Sequence, residues 1–341
     1  ELIRTSDYIG YSEKMQFAGC VGLEITGVIT GSELIKMSDQ VLWSKIEETN
    51  LFAEVDPNQK ERIILALKKR GHVVGYMGDG INDVPALHTA DVSISVDNAV
   101  DVAKESADFV LMEKSLDVLN RGIELGRTTF ANTLKYIFVT TSSNFGNMFS
   151  MAGASLFMPF LPLLPKQILL INFLSDFPSL SIANDSVDPE ILEKPRRWDI
   201  NLIRNFMFTF GLLSSIFDYI TFAVLLLIFQ AGEGMFQSGW FVLSTLTELS
   251  ALLVMRTQRA FFRSRPASTL VYSSMVVGII TILLPYSPIN SILNIQPIPL
   301  TLLVSLLCIA ALYTIVIEFA KHIFYRSNKV GNATDDRKIA F

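Results

Sequence analysis

The sequence predicts an α/β domain on a parallel, doubly wound sheet, followed by an α-helical membrane domain of six spans. Three observations carry this reading. Short apolar runs alternate with helical patterns over residues 1–135, which also hold most of the charge in mixed signs. The remainder reads as long apolar runs punctuated by Pro, Gly and short charged links. A mean hydropathy of +0.40 with 18% charged residues in 341 is too apolar for a water-soluble chain. The division that follows is a soluble domain over 1–135, a transmembrane domain over 136–326 and a tail over 327–341.

In chain order, the apolar run Leu51 to Val55 reads as a strand, Pro57 to Lys69 as a helix and Val73 to Met77 as a second strand. Val92 to Val96 and Phe109 to Met112 supply two more strands, with a short helix near Val100 to Lys104 between them. Strands alternating with helices pair in parallel and gather ligands at their carboxyl ends. From Ser115 a helical pattern runs through Lys135 into the first span without a Pro- or Gly-rich linker. Runs of about 20 apolar residues occur near 137–160, 166–183, 204–230, 238–256, 267–286 and 299–320.

The links after the second and fourth spans carry the basic residues: Lys194, Arg196, Arg197 and Arg204 in one, Arg256, Arg259, Arg263 and Arg265 in the other. The other links hold only Lys166. Basic residues stay on the cytoplasmic side, so the soluble domain, both basic links and the tail from Lys321 are expected in the cytosol, with both ends of the chain there. No signal peptide is visible in a sequence that starts at Glu1. A net charge of −5 without a basic stripe excludes a nucleic-acid reading and leaves the lipid bilayer as the partner class. Cys20 and Cys308 fall in different parts, so no disulfide and a reduced setting are expected.

The chemistry concentrates first in Gly78-Asp79-Gly80-Ile81-Asn82-Asp83, which follows an apolar run and opens a helical pattern. Glycines let the backbone approach an anion, and carboxylate oxygens are the hard ligands that Mg²⁺ prefers. The plainer reading is a tight turn capped by Asn82 or Asp83. Asp56-Pro57-Asn58-Gln59-Lys60 lies at another strand end and places Lys60 one turn into a helix, where its ammonium can neutralise a phosphoryl group or simply be solvated.

In the apolar part, ionisable and amide groups are costly and point to function. Asn144 and Asn147 share a face of the first span, and Asn172 and Asp176 share one of the second. Pro178 is expected to break that helix and free carbonyl oxygens. Amide oxygens, carbonyls and a carboxylate make a dehydrated cation site; the alternative is that the asparagines only bond across packed helices. Glu248 either completes the site or pairs with a polar neighbour. Asp218 fits a protonated carboxyl bonded to Ser214 or Ser215. Phe206, Phe208 and Phe210 read as packing or lipid-facing residues.

Four stretches together resemble the P-type ATPases, whose catalytic domain has a haloacid-dehalogenase-like, Rossmann-like fold. They are Asp56 to Arg62, Gly78 to Leu87, Ala103 to Asp108 and Thr141 to Asn147. Ser214 to Asp218 and Phe236 to Trp240 are most similar to the magnesium-importing bacterial branch; Ser175 and Glu248 look more like the calcium branch. The resemblance implies a partial phosphorylation domain over 1–135 and ATP and Mg²⁺ as cofactors. By it, Asp79 and Asp83 hold the catalytic Mg²⁺, Asn82 orients the phosphoryl group or nucleotide, and Lys60 offsets its charge. Asn144, Asn147, Asn172, Ser175, Asp176 and Glu248 fall on positions for a transported divalent cation, Mg²⁺ or else Ca²⁺, in a multi-pass pump of the cell (plasma) membrane.

The Asp-Lys-Thr-Gly-Thr stretch that carries the phosphorylated aspartate in this family is absent, and Ile9-Gly10-Tyr11 stands near where a Thr-Gly-Asp is expected. The chain therefore reads as the carboxyl-terminal portion of a pump, inactive alone and partnered by missing amino-terminal domains. The other readings are a truncated, non-catalytic membrane protein that binds Mg²⁺ or a partner chain, and a tethered phosphatase, which also lacks its nucleophile.

Overall fold

The computed structural model describes residues 4–6, 24–113, 115–193 and 198–332. Cys20, Ile9 to Tyr11, and Lys194, Arg196 and Arg197 lie outside them. The described residues divide into two compact units, one up to Gly122 and one from Ile123.

In the first unit, strand β1 (Arg4–Ser6) and β2 (Val28–Thr30) flank β3 (Leu51–Ala53), both in parallel, with Arg4 and Val28 each opposite Leu51. Helix α1 (Gly31–Lys36) starts where Thr30 and Glu33 form a capping box, and α2 (Asp39–Lys45) follows. Helix α3 (Pro57–Lys69) starts the same way: Asp56 Oδ1 accepts from Gln59 N at 2.8 Å, Gln59 Oε1 accepts from Asp56 N at 3.0 Å, and Pro57 takes the first helical position. Its apolar face, Ile63 and Ala66, packs with Leu34, Leu42, Ile46, Phe52 and Val55.

A second parallel sheet follows in the order β4 (Gly75–Met77), β5 (Val92–Val96), β6 (Phe109–Leu111), with Gly75 opposite Val92 and Ile94 opposite Phe109. A 3₁₀ turn (Ile81–Asp83) and α4 (Val84–Thr89) join its first two strands, and α5 (Asp101–Glu105) joins the next two. The strands and helices fall where the sequence predicts them, and every pairing is parallel. Instead of one doubly wound sheet, the described strands form two of three strands each. β3 is the central strand of the first sheet, and β4 pairs with β5 instead of extending it.

Helix α6 (Leu116–Phe157) runs unbroken for 42 residues, as the absence of an interrupting Pro dictates. The second unit continues with α7 (Pro165–Ser179), a 3₁₀ turn (Leu180–Asn184) and α8 (Pro189–Leu192). Then come α9 (Ile200–Ala223), α10 (Glu233–Met255), α11 (Ser268–Leu283), α12 (Asn290–Leu293) and α13 (Leu300–Asn332). Among the described residues, four helical stretches are long and apolar enough to cross a membrane: Ile200–Ile228, Glu233–Met255, Ser268–Tyr286 and Leu300–Arg326. They coincide with the last four predicted spans. The first two predicted spans fall on α6 and α7, which are not among these four.

Helix α10 is the hub. Within its apolar stretch 83% of residues are buried, against 28–39% in the other three, so the others shield it from surroundings they themselves face. Helices α6 and α9 touch backbone to backbone. A Cβ at Gly146 would stand 3.0 Å from the Gly211 carbonyl oxygen, and Ser215 Oγ donates to the Gly146 carbonyl at 3.0 Å. Phe206 and Phe210 are buried in a stack with Phe138, whereas Phe208 is exposed.

Candidate functional site

In the α/β unit, the loop from Gly78 to Asp83 is folded around one carboxylate. Asp83 Oδ1 accepts from Lys60 Nζ at 3.0 Å and from the Tyr76 hydroxyl at 2.6 Å. Its Oδ2 accepts from the backbone N–H of Gly80 at 3.1 Å and of Asp79 at 3.2 Å. Four donors fill the lone pairs a carboxylate offers. Burial alone would raise the Asp83 carboxyl, but the hydrogen bonds from Tyr76 and Lys60 and the Lys60 charge outweigh it and hold the group below the usual aspartate range. The loop is tied to β5 by Ser95 Oγ donating to the Gly78 carbonyl at 2.9 Å, and to the start of α5 by Val100 N donating to the Asp79 carbonyl at 3.1 Å.

Of the residues singled out in the sequence, Lys60 is buried rather than solvated, and Asp79 and Asn82 are exposed. Asp83 points inward, and its oxygens are occupied by the protein's own donors. A metal needs unfilled oxygens: the Asp79 carboxylate, exposed and without a side-chain hydrogen bond among the described residues, fits that requirement, and Asp83 as folded here does not. No cluster of three His, Cys, Asp or Glu side chains suited to a metal occurs among the described residues.

The glycines of this loop differ in their reasons. A Cβ at Gly78 would overlap Asp83, while one at Gly80 would sit 3.6 Å from its nearest atom, an ordinary contact. Gly78→Ala is expected to destabilise the α/β unit by about 1–3 kcal/mol, read as a lower unfolding midpoint in denaturant, with Gly80→Ala near neutral. Equal midpoints for the two variants would contradict the assignment.

In the second unit, Asn144, Asn172, Ser175, Asp176 and Glu248 line one cavity of about 210 Å³. Tyr136, Thr140, Ser143 and Ser179 add further polar side chains to its wall. Asn147 does not line it; its Nδ2 donates to Glu248 Oε1 at 2.5 Å and its Oδ1 accepts from Ser244 Oγ at 3.2 Å. Glu248 therefore pairs with a polar neighbour, Asn147, and also lines the cavity. The oxygens come from three helices: α6, α7 and α10.

One expectation is met in part and one is corrected. The α-helical stretch of α7 ends at Ser179, one residue past Pro178, and gives way to the 3₁₀ turn, but the Asp176 carbonyl is not freed: it accepts from Leu180 N–H. Asp218 bonds neither Ser214 nor Ser215: Ser150 Oγ donates to its Oδ2 at 2.6 Å and Trp240 Nε1 to its Oδ1 at 3.0 Å, because Ser215 is spent on the backbone of α6 and α9. Lys321 is fully buried, and its helix continues to Asn332.

The residues missed on α6 carry a signal the sequence does contain. Tyr136, Thr140 and Ser143 recur at spacings of four and three, in step with the already singled-out Asn147 four residues on, which is one face of a helix and a polar stripe in an apolar segment. Ser179 repeats the step of four from Ser175 on α7.

Comparison with known proteins agrees with both halves. Residues 160–323 match the family described as cation transporting ATPase, C-terminus, and residues 61–121 match the haloacid dehalogenase-like hydrolases. The chain is 46% identical over 311 residues to Magnesium-transporting ATPase, P-type 1 of Escherichia coli (strain K12), covering 90% of this chain and 35% of that protein. It is 45% identical over 311 residues to the protein of the same name from Salmonella typhimurium (strain 14028s / SGSC 2262), covering 90% of this chain and 34% of that one. Calcium-transporting ATPase 1 of Bacillus cereus (strain ATCC 10987 / NRS 248) is 38% identical over 176 residues, or 51% of this chain and 20% of that protein. The chain thus spans about a third of the length of the magnesium-transporting relatives it matches. With one family match falling in each unit and similarity across nine-tenths of its length, this multi-pass membrane chain belongs to the P-type cation-transporting ATPases, as a carboxyl-terminal portion on the side of the magnesium branch.

Proposed function

We propose that this chain supplies the ion path and part of the phosphoryl-transfer site of an ATP-driven pump that moves a divalent cation, Mg²⁺, across the cell membrane. One observation carries the reading: nine oxygen-bearing side chains, two of them carboxylates, line a single cavity between three helices. Hard oxygen ligands with two negative charges suit a divalent cation, and a cavity of about 210 Å³ has room for an ion that keeps some of its waters. In this reading α6 and α7 complete six spans, with 1–135, 136–326 and 327–341 as cytosolic, transmembrane and cytosolic segments and both ends inside.

In the α/β unit, Asp79 is the ligand for the catalytic Mg²⁺ and Asn82 faces the phosphoryl group or ATP. Asp83 acts by fixing the loop, and Lys60 secures Asp83 while adding positive charge to the site. Bound Mg²⁺ would supply charge neutralisation for the transferred phosphoryl group. The aspartate that accepts that group lies in the amino-terminal part of the whole pump, outside this chain. The similarity to calcium pumps over half the chain makes Ca²⁺ the second candidate ion.

The test uses the whole pump. Asp176→Asn is expected to lower cation-stimulated ATP hydrolysis at least about tenfold with membrane expression unchanged, and a comparison of Mg²⁺ with Ca²⁺ as the stimulating ion identifies the cargo. Undiminished stimulation in that variant would move the transport site elsewhere.

A further inference from the structure

Outside both sites, the second unit contains a buried knot of three charges whose centre is Asp185. Its carboxylate is fully buried. Oδ2 accepts from Lys135 Nζ at 2.8 Å and from an Arg256 guanidinium nitrogen at 2.9 Å; Oδ1 accepts from that nitrogen at 3.2 Å and from the backbone N–H of Ala267 at 2.9 Å. Lys135 and Arg256 are nearly as buried, at 8% and 1% of the side chain. Asp188, a second buried carboxylate near the knot, touches neither cation directly and is held by Thr257 Oγ1 at 2.6 Å and Ser264 Oγ at 2.8 Å. One turn before Lys135, Asn132 donates to the carbonyls of Ala183 and Asp185 at 3.1 and 3.0 Å.

The placement of these residues is what gives the knot meaning. Lys135 lies on α6 nine residues before Asn144, Asp185 lies nine residues after Asp176, and Arg256 lies eight residues after Glu248. At a rise of 1.5–2.0 Å per residue, each sits roughly 12–18 Å along the chain from the cavity oxygen paired with it here, while the cavity wall itself reaches Tyr136, the residue next to Lys135. One carboxylate therefore joins the three segments that each contribute ligands to the cavity, at one common level. It also accepts from Ala267, the residue that caps α11. Hydrophobic packing tolerates small slides and rotations of a helix; a carboxylate held by two cations and an amide does not, because each shift leaves a buried charge short of a partner.

We propose that Asp185 is a positioning residue for ion binding, setting the relative register of α6, α7 and α10 so that their oxygens converge on one cation. The inference rests on the cavity being the transport site. It differs from a purely stabilising role in its consequence: loosening the tie weakens the grip on the ion more than it weakens the fold.

The experiment follows Mg²⁺ binding to the purified chain in detergent by calorimetry, with Asp79→Asn present throughout so that the membrane site alone reports, and follows thermal unfolding without Mg²⁺ in parallel. Asp185→Asn is expected to raise the dissociation constant for Mg²⁺ about tenfold or more, about 1.4 kcal/mol. Lys135→Gln, which keeps the Asp185–Arg256 pair, is expected to raise it severalfold with a smaller change in unfolding temperature. It replaces Asp185→Asn as the deciding variant if the latter does not fold. Dissociation constants within twofold of the parent in the folded variants, whatever the unfolding temperatures, overturn the proposal. Asp176→Asn runs alongside: if it leaves Mg²⁺ binding intact, the cavity reading falls instead.

Discussion

Asp79→Asn is expected to leave the α/β unit folded and to reduce phosphoenzyme formation in the whole pump at least about a hundredfold. The side chain is exposed and holds no hydrogen bond among the described residues, so its amide replacement removes no structural contact. What it removes is a negative oxygen at a strand end, which in the proposed function holds a hard cation beside a highly charged reacting group. Binding of ATP should persist, and phosphate incorporation from labelled ATP is the measurement. Normal phosphoenzyme levels would remove Asp79 from the site.

Asp83→Ala is expected to behave in the opposite sense, destabilising the unit itself by about 1–3 kcal/mol. The substitution removes the acceptor of four donors at once: Lys60 Nζ, the Tyr76 hydroxyl and two backbone amides. Hydrogen exchange at the amides of Asp79 and Gly80 reads the effect directly, since both donate to Asp83. The two neighbours thus separate into one residue lost with the chemistry and one lost with the loop. Unchanged protection of both amides in Asp83→Ala would show that the loop is held by other means.

That separation also marks where sequence reasoning stops. Helix α3 was legible because Asp56, Pro57 and Gln59 are start signals that act on their own neighbours, and the four long apolar helices were legible because a span needs only length and apolarity. Asp79 and Asp83 stood out in the sequence as a pair but not by their placement: nothing in Gly-Asp-Gly-Ile-Asn-Asp tells which carboxylate turns toward Lys60, twenty-three residues upstream of Asp83. The break into two sheets was hidden for a similar reason, since which strands pair is a contact between residues far apart in sequence, such as Val28 with Leu51. Asn172, Ser175 and Asp176 declared themselves as polar groups in an apolar run. Asp185 did not, because in a charged link it looked like any other loop aspartate, and its meaning comes from Lys135 and Arg256, fifty and seventy-one residues away.

The buried Lys321 bears on how such a chain is made. Its ammonium donates to the carbonyls of Val254 and Arg259, at 2.9 and 2.8 Å, where α10 ends and its own backbone donors run out. Helix α10, which carries Glu248, is therefore finished by a residue the ribosome adds more than sixty positions later. Until α13 has been synthesised and inserted, the end of the hub helix has open carbonyls, and a quality-control protease would meet its least protected form at that stage of biogenesis.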